Sequence, residues 1–408
     1  MTLEVLRNIG QLATGTAAGG PSAITTLTGA ALVWEADRIL WLGPEADLPA
    51  EYRTAGQVDA GGGLVIPGLV DCHTHLGFGG WRGDEFALRL AGRSYQEIAA
   101  AGGGILSTMR QTRTIDPETL VDRCLGFLTE MASLGVTTVE CKTGYGLDED
   151  SELKLLEVYQ QVGRRAAQRI VPTLLAAHAV PPEYRERRED YLNLVTERLI
   201  PETGRRGLAR FCDVFVESGA FTIDEARRIL RAGQAAGLRP KLHADQLSDG
   251  SGAQLAAEIG AASADHLEYI SDEGICRMAE AGVVAVSLPL ATLYLNQRPL
   301  PARRLIEAGV PVAVATDFNP GSAPSFHLPL AMMLGCTLQR MTPAEVLAGA
   351  TLVAARAIGL EHEVGSLEVG KAADFAVIDA PDLNHWMYHF RANACRRTVI
   401  AGRTVFSV

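Results

Sequence analysis

Residues 64–78, LVIPGLVDCHTHLGF, decide the fold that this chain is expected to adopt. An aliphatic run leads directly into Asp71, His73 and His75, so an apolar strand is predicted to end in polar side chains. Residues two apart in a strand point to the same face, and both imidazoles therefore enter one space. A buried strand whose carboxyl end carries such side chains is typical of the catalytic end of a parallel α/β barrel.

Further apolar segments of the same kind follow along the chain. Most are separated by stretches with apolar residues at spacings of three and four, which predict helices. Eight strands alternating with helices over roughly 280 residues predict a TIM-like (β/α)8 barrel, with a doubly wound open sheet as the alternative. The later strand segments are GVTTVECK (135–142), IVPTLLAAH (170–178), FCDVFVE (211–217), PKLHADQ (240–246), ASADHLE (262–268), VVAVSLPL (283–290) and VPVAVATDF (310–318).

Both ends of the chain differ from this alternating pattern. AALVWEA (30–36) and RILWLG (38–43) near the start are short strand-like runs with breakers between them. VGSLEVGKAADFAVIDAP (364–381) and TVIAGRTVFSV (398–408) return to short strands separated by glycine turns. We therefore expect a small β-sandwich domain, built from residues 1–65 and 360–408, beside a barrel domain of residues 66–359.

The composition excludes several classes of protein. The chain has 408 residues, is 47% hydrophobic and carries a formal net charge of −11, which argues against nucleic acid as the main partner. Its seven cysteines are scattered without a C-x-x-C pair, so neither a disulfide framework nor a cysteine zinc site is expected. No signal peptide and no charge-free apolar stretch of about 20 residues is evident in the sequence. We expect a cytoplasmic homodimer that acts on a small molecule and does not contact a membrane.

Polar residues close the predicted barrel strands one after another, and five of the nine histidines lie at these ends. Three of these imidazoles, His73, His75 and His243, together with the carboxylate of Asp317, form a donor set that suits zinc or iron(II). A bound divalent ion would lower the pKa of a coordinated water towards ~7. We expect one ion per chain, and Lys142 would matter only as a bridging ligand in a two-ion site.

Longer stretches of the chain resemble the amidohydrolase superfamily and, more closely, its imidazolonepropionase family. They cover most of residues 60 to 360. The resemblance implies metal-dependent hydrolysis of 4-imidazolone-5-propanoate to N-formimino-L-glutamate in histidine degradation. The stretches are PGLVDCHTHLGF (67–78), GDEFALRLAGRSYQEIAAAGGGILSTMRQTR (83–113), TVECKTGYGLD (138–148), AAHAVPPEY (176–184), KLHADQLSDGSGAQLAAEIGAASADHLEY (241–269) and ATDFNPGSAPS (315–325).

The resemblance also implies roles for individual residues. His73, His75, His243 and Asp317 match the ligands of a single metal ion. Arg82 matches an arginine that contacts the substrate, and a planar guanidinium is well suited to the propanoate carboxylate. The other positions expected to contact the substrate are Tyr145, His178, Gln246, Asn319, Gly321 and Ser322.

The resemblance also implies which residues transfer protons, and this chain departs from part of the family at one of these positions. His266 matches a histidine with a proton-handling role, and it joins Asp317 and His243 in the expected catalytic group. Some members of the family carry glutamate where this chain has Gln246. A glutamine can orient a ring or a water but cannot accept a proton. We therefore expect Asp317, assisted by His266, to act as the base.

Two other classes of function remain open on the sequence alone. A related deaminase of the guanine or formiminoglutamate type would share the metal chemistry but would release ammonia. A non-catalytic barrel scaffold would be expected to lose metal ligands, whereas all four candidate ligands are present in this chain.

Overall fold

The computed structural model describes residues 3–16, 23–93, 97 and 102–408. Within these residues the strands form two eight-stranded sheets. The strands are β1 (Leu3–Gly15), β2 (Ile24–Glu35), β3 (Arg38–Pro44), β4 (Gly56–Asp59), β5 (Leu64–Pro67), β6 (Leu69–Asp71), β7 (Val136–Lys142), β8 (Arg169–Ala177), β9 (Phe211–Val216), β10 (Arg239–Ala244), β11 (Ser263–His266), β12 (Val284–Ser287), β13 (Val312–Val314), β14 (Phe375–Ile378), β15 (Cys395–Ile400) and β16 (Arg403–Ser407).

Helices alternate with the strands of the second sheet, as the spacing of apolar residues predicts. Several of them begin at a side-chain cap; Asp116, Thr222 and Ser271, for example, each accept a hydrogen bond from the first turn. The helices are α1 (Gly83–Leu90), α2 (Ile105–Thr114), α3 (Pro117–Ser133), α4 (Glu149–Arg165), α5 (Arg188–Asn193), α6 (Ile200–Arg206), α7 (Ile223–Ala235), α8 (Gly252–Ile259), α9 (Asp272–Ala281), α10 (Pro289–Leu295), α11 (Ala302–Glu307), α12 (Leu328–Gln339), α13 (Pro343–Gly349), α14 (Leu352–Ala357) and α15 (Leu383–Tyr388).

Strands β6 to β13 form a parallel sheet in sequence order, which is the order of a barrel and not of a doubly wound sheet. Its two edge strands approach each other just beyond their carboxyl ends. His75 N donates to Phe318 O at 2.8 Å, and Asp317 N donates to His73 O at 3.0 Å. The sheet is therefore a nearly closed eight-stranded barrel, and the predicted fold class is confirmed.

The first predicted strand is wrong in one respect, because residues 64–73 do not form one continuous barrel strand. The chain divides at Gly68 into β5, which pairs with β1 and β14 of the other sheet, and β6, which begins the barrel. A Cβ at Gly68 would lie 2.3 Å from Thr137 Oγ1 of β7. Glycine thus lets the backbone pass closely against β7 as it changes sheets.

The other sheet joins the two ends of the chain, with β14 to β16 hydrogen-bonded through β5 to β1. Trp34 of β2 and Phe375 of β14 make an edge contact, with ring centroids 5.2 Å apart. Two strands lie between them, so a flat sheet would hold these residues roughly 14 Å apart. The sheet therefore curls until its ends face each other around a shared apolar cluster, which gives a sandwich-like unit.

Most of the barrel is apolar, and its helices pack on it through one continuous cluster of buried side chains. Polar residues are concentrated at the carboxyl ends of the strands and just beneath them. Among the described residues, no helix combines the length and apolar character needed to span a membrane. Residues 94–96 and 98–101, which belong to the stretch 83–113 quoted above for the family resemblance, lie outside the described residues.

Candidate functional site

The four predicted metal ligands meet at the carboxyl ends of β6, β10 and β13. Asp317 Oδ1 lies 3.4 Å from His73 Nε2 and 3.5 Å from His75 Nε2. His243 Nε2 lies 3.4 Å from His75 Nε2. All four side chains are buried, and we refer to them as the histidine–aspartate cluster. The structure therefore brings together residues that are separated by up to 244 positions in the sequence, from 73 to 317.

The donor atoms of this cluster fit a metal ion. His73, His75 and Asp317 offer ligand atoms that all lie within 4.8 Å of one another, and His73 Nε2 has no hydrogen-bond partner among the described residues. Burial lowers the pKa of His75 and brings that of His243 well below its usual value, so both rings are neutral and keep a lone pair for coordination. Three imidazoles and one carboxylate are a donor set that could hold such an ion.

Two buried carboxylates lie next to the Nδ1 atoms of two of these imidazoles. Asp265 Oδ2 lies 2.6 Å from His73 Nδ1, and Asp213 Oδ2 lies 3.1 Å from His243 Nδ1. Burial opposes protonation of His73, but the nearby carboxylates outweigh it and raise the pKa of this ring. The site therefore attracts positive charge. A carboxylate behind a ligating histidine also fixes the ring and directs its other nitrogen towards the metal.

Two lysines neutralise these carboxylates inside the barrel. Lys142 Nζ lies 2.7 Å from Asp213 Oδ2, and Lys241 Nζ lies 3.2 Å from Glu140 Oε1. All members of this group are fully buried or nearly so. The buried opposite charges attract one another strongly, which raises the pKa of Lys142 and lowers that of Asp213 and Asp265 despite their burial. We call the group the lysine network, and its members are Glu140, Lys142, Asp213, Lys241 and Asp265.

His266 ends β11 beside the cluster. Its ring centroid lies 5.8 Å from that of His73 and 5.4 Å from that of His243. Burial lowers the pKa of His266 to about 4, so the ring is neutral at physiological pH. Its backbone has a φ of 80°, and Asp317 has a φ of 55°, both in the left-handed region that non-glycine residues seldom adopt. Such strain is concentrated at functional sites in proteins.

Glu268 follows two residues later and was not singled out from the sequence. Its side chain is 1% exposed, and Oε2 lies 3.9 Å from His266 Nδ1 without a hydrogen-bond partner on either atom. Burial, with a smaller contribution from the charge of Asp317, raises the pKa of Glu268 to about 8. A carboxyl group that is neutral at pH 7 therefore lies beside the cluster.

The rings of Tyr145 and His178 lie against the ring of His75. The ring of His178 stacks on His75 at 5.2 Å between centroids, and that of Tyr145 lies 5.8 Å from His75. His178 Nδ1 is 3.0 Å from Gly144 O, which makes Nδ1 the protonated nitrogen. Burial and the neighbouring His75 lower the pKa of His178 to about 3. Both rings therefore lie directly beside the histidine–aspartate cluster.

The loop that carries Tyr145 is held by a residue absent from the sequence prediction. Glu152 of α4 accepts hydrogen bonds from Gly144 N, Gly146 N at 2.7 Å and Leu147 N at 2.9 Å. This carboxylate is fully buried. One side chain thus organises the backbone around Tyr145, because it satisfies three neighbouring N–H groups at once.

Arg82 lies between the barrel and the loop that follows Asp317. Its Nε donates to Thr108 Oγ1 of α2 at 2.8 Å. A Cβ at Gly321 would lie 2.3 Å from Arg82 Nη1, so the guanidinium packs directly on that glycine. Arg82 is half-buried. The hydroxyl of Thr108 therefore orients the arginine, and the lack of a side chain at Gly321 leaves room for its guanidinium.

The loop from Asn319 to Ser322 connects Arg82 with the cluster. Asn319 Nδ2 donates to Asp317 O at 2.6 Å and to Ser322 Oγ at 2.9 Å, and Asn319 Oδ1 accepts from Gly321 N and Ser322 N. Ser322 Oγ donates to Asp317 Oδ2 at 3.5 Å. The Asn319 amide is therefore used to shape the loop. Arg82, Tyr145, His178 and this loop are the residues that the sequence predicts to contact a substrate, and we call them the substrate-facing wall for that prediction.

Gln246 is half-buried in the turn after β10. Glu217, at the end of β9, accepts hydrogen bonds from Leu247 N at 2.8 Å and from Ser248 N at 3.3 Å. Asp245, which precedes Gln246, accepts from Gly252 N and Ala253 N at the start of α8. Glu217 and Asp245 thus have structural roles in fixing this turn, and Gln246 is positioned by them.

Sequence reasoning missed four residues that surround the predicted site: Asp213, Thr108, Glu152 and Glu268. Asp213 carried a usable signal, because a charged residue in the middle of the apolar strand FCDVFVE is costly unless it is paired. Thr108 and Glu152 reach the site from helices through tertiary contacts. No local pattern in the sequence announces such contacts.

Comparison with known proteins agrees with this architecture. Residues 64–405 match the profile described as amidohydrolase family. The chain is 49% identical over 378 residues to an imidazolonepropionase of Geobacillus thermodenitrificans, covering 91% of this chain and 89% of that protein. It is 47% identical over 401 residues to an imidazolonepropionase of Symbiobacterium thermophilum, covering 96% and 94%.

Solved structures share the fold at much lower identity. A 5-methylcytosine deaminase from Klebsiella pneumoniae superimposes with a TM-score of 0.76 at 17% identity, covering 100% of this chain and 97% of that one. Guanine deaminase from E. coli gives a TM-score of 0.74 at 16% identity, with full coverage of both chains. These likenesses concern the fold, whereas the sequence matches decide the family. The chain belongs to the amidohydrolase family and, within it, to the imidazolonepropionases.

Proposed function

We propose that this protein hydrolyses 4-imidazolone-5-propanoate to N-formimino-L-glutamate with one zinc or iron ion per chain. The observation that carries the proposal is the link between the histidine–aspartate cluster and Arg82. Ser322 contacts Asp317, and Arg82 packs on Gly321 one residue away in the same loop. A cationic group for a carboxylate thus stands next to a site suited to a hydrolytic metal.

Recognition of the substrate is assigned to the substrate-facing wall. Arg82 binds the propanoate carboxylate with its two terminal nitrogens, while Thr108 holds Nε. Tyr145 and His178 pack against the flat imidazolone ring, since both already lie against His75. His178 Nδ1 is engaged by Gly144 O, which directs the unprotonated Nε2 away from that carbonyl.

An ion bound by His73, His75, His243 and Asp317 would polarise the ring carbonyl and lower the pKa of a coordinated water towards ~7. Burial opposes ionisation of Asp317, but the nearby imidazoles of His73, His75 and His266 hold its pKa well below the usual range. Asp317 is therefore ionised and can accept the proton of the attacking water. It returns this proton to the ring nitrogen as the C–N bond breaks.

His266 completes the catalytic group that we propose. Its neutral ring lies beside the cluster and can donate a hydrogen bond to the oxygen that becomes negative as water attacks. Gln246 is proposed to orient the ring or a water. The homodimer, the cytoplasmic location and the division into residues 1–65 with 360–408 and residues 66–359 belong to the same proposal.

The test is to incubate the purified metal-loaded protein with 4-imidazolone-5-propanoate and to follow the absorbance of the ring, with ammonia assayed in parallel. We expect the absorbance to disappear with formation of N-formimino-L-glutamate and without ammonia. The His75→Ala variant, prepared in the same way, serves as the control for metal-independent decay. Release of ammonia in proportion to ring loss, or a rate equal to that of the control, would contradict the proposal.

A further inference from the structure

One buried lysine of the network lies beneath the histidine–aspartate cluster without an assigned function. Lys142, the last residue of β7, is completely buried. Its Nζ lies 2.7 Å from Asp213 Oδ2, 3.0 Å from Glu140 Oε1 and 3.3 Å from Asp265 Oδ2. A protonated amine that donates to three carboxylates has no lone pair left for a metal. The contacts therefore argue against Lys142 as a bridging ligand.

The same carboxylate oxygens that meet Lys142 also meet the imidazoles of the cluster. Asp265 Oδ2 lies 2.6 Å from His73 Nδ1, and Asp213 Oδ2 lies 3.1 Å from His243 Nδ1. One ammonium group is thus joined, through two single atoms, to two candidate ligands that come from different strands. Lys142 therefore helps to fix both oxygens, although Asp265 is also held by Ser263, whose hydroxyl donates to Oδ1 at 2.6 Å.

The charges explain why this arrangement needs the lysine. Three carboxylates and two ammonium groups share the buried network, so Lys142 supplies half of its positive charge. A buried carboxylate without a cationic partner is unfavourable and moves towards any other donor or towards water. Lys241 can compensate only in part, because its Nζ lies 3.9 Å from Asp265 Oδ2, bonds chiefly to Glu140 and Cys72 O, and forms no ion pair with Asp213 within the described part of the chain.

We propose that Lys142 is a positioning residue for the metal site, which sets the orientation of His73 and His243 through Asp265 and Asp213. The inference rests on the proposed function only in assuming that the cluster binds an ion. Lys142 touches neither substrate nor ion. Its removal should therefore weaken metal binding before any substrate is added.

The test compares two lysine-to-methionine variants. Lys142→Met removes the ammonium group and keeps a linear apolar side chain. Lys371→Met is the matched control, because Lys371 is also buried and ion-paired, with Nζ 3.1 Å from Glu368 Oε1, but contacts no member of the lysine network. Both variants remove a buried lysine that takes part in an ion pair, so a loss of stability from removing such a lysine would affect both.

Metal-free protein is prepared with a chelator, and the Kd for Zn²⁺ is measured at one pH by competition with a chromophoric chelator. Absorption of the Co²⁺-substituted protein reports the coordination geometry. Lys142→Met should raise the Kd for Zn²⁺ by roughly 10–100-fold, the usual effect of removing a residue that supports a ligand. Its Co²⁺ spectrum should also change, whereas Lys371→Met should keep the wild-type Kd and spectrum.

A folded Lys142→Met protein with the wild-type Kd and the wild-type Co²⁺ spectrum would overturn the inference. If Lys142→Met does not fold, Asp213→Asn replaces it, because the amide keeps the shape but weakens the link from Lys142 to His243. Unchanged zinc affinity in that variant would equally overturn the inference. A wild-type protein that takes up no ion would instead contradict the proposed function itself.

Discussion

The histidine–aspartate cluster and the substrate-facing wall are built in different ways. The cluster consists of buried residues at the ends of barrel strands, and two of its imidazoles are backed by carboxylates of the lysine network. The wall comes from loops between strands and helices, and Arg82 and His178 are only half-buried. The residues proposed to hold the metal thus lie at the ends of barrel strands, whereas the residues proposed to contact the substrate lie on the loops that follow such strands.

The largest effect is expected from breaking the cluster. His75→Ala should remove the bound ion and abolish hydrolysis together, because three remaining ligands hold a catalytic ion poorly. Metal content by elemental analysis and kcat/KM are the two measurements. The control is His327→Ala, since His327 caps α12 and bonds to Ala392 O. Full metal content in His75→Ala would exclude this residue as a ligand.

A smaller loss is expected from the wall. Arg82→Ala should lower kcat/KM. The corresponding loss of transition-state stabilisation should be about 2–4 kcal/mol, the range for truncating one partner of a buried charge pair. Arg82→Lys should recover part of this loss, because a single ammonium cannot form the paired contacts of a guanidinium. Metal content should remain complete in both variants, unlike in the cluster variant. Arg89→Ala, in the helix α1 that follows Arg82, is the control, and an effect as large as that of Arg82→Ala would argue against a specific contact.

Glu268, which lies beside the histidine–aspartate cluster, is expected to make the free energy of unfolding depend on pH. Its pKa is raised to about 8 by burial, whereas a free glutamate ionises near 4.3. The folded protein therefore binds more protons than the unfolded chain between these values, so this residue's contribution is lost as pH rises towards 8 and above. The loss has a slope of up to about 1.4 kcal/mol per pH unit.

Glu268→Gln should remove that slope. The free energy of unfolding of this variant, relative to wild type, should increase between pH 5 and pH 9 in denaturant titrations. The Glu273→Gln variant, at an exposed position of α9, provides the control without such a change. Parallel pH profiles of Glu268→Gln and wild type would mean that Glu268 is ionised in the folded protein at neutral pH.

The smallest effect is expected at Gln246. If this side chain only orients the ring or a water, Gln246→Glu should not raise the rate, since a carboxylate is brought near an anionic substrate. The pH dependence of kcat/KM for wild type, Gln246→Glu and Gln246→Ala is the measurement. A tenfold faster Gln246→Glu enzyme, about 1.4 kcal/mol of barrier, would identify this position as a base site and contradict the role of Asp317.

The sequence predicted the cluster better than the wall, for a physical reason. His73 and His75 could be placed on one face because strand periodicity is local, and parallel strands bring their carboxyl ends together. The division of the chain at Gly68 into β5 and β6 could not be foreseen, since it depends on the distance to Thr137 in another strand. The hydroxyl that orients Arg82 likewise comes from a helix, so only the folded chain reveals it.

Anomalous X-ray scattering from crystals of the zinc-loaded protein would show whether one ion lies between His73, His75, His243 and Asp317. We expect a single anomalous peak per chain, within bonding distance of these four side chains and with Lys142 outside the coordination sphere. Two peaks per chain, or one peak bonded to Lys142, would contradict the proposed single-ion site.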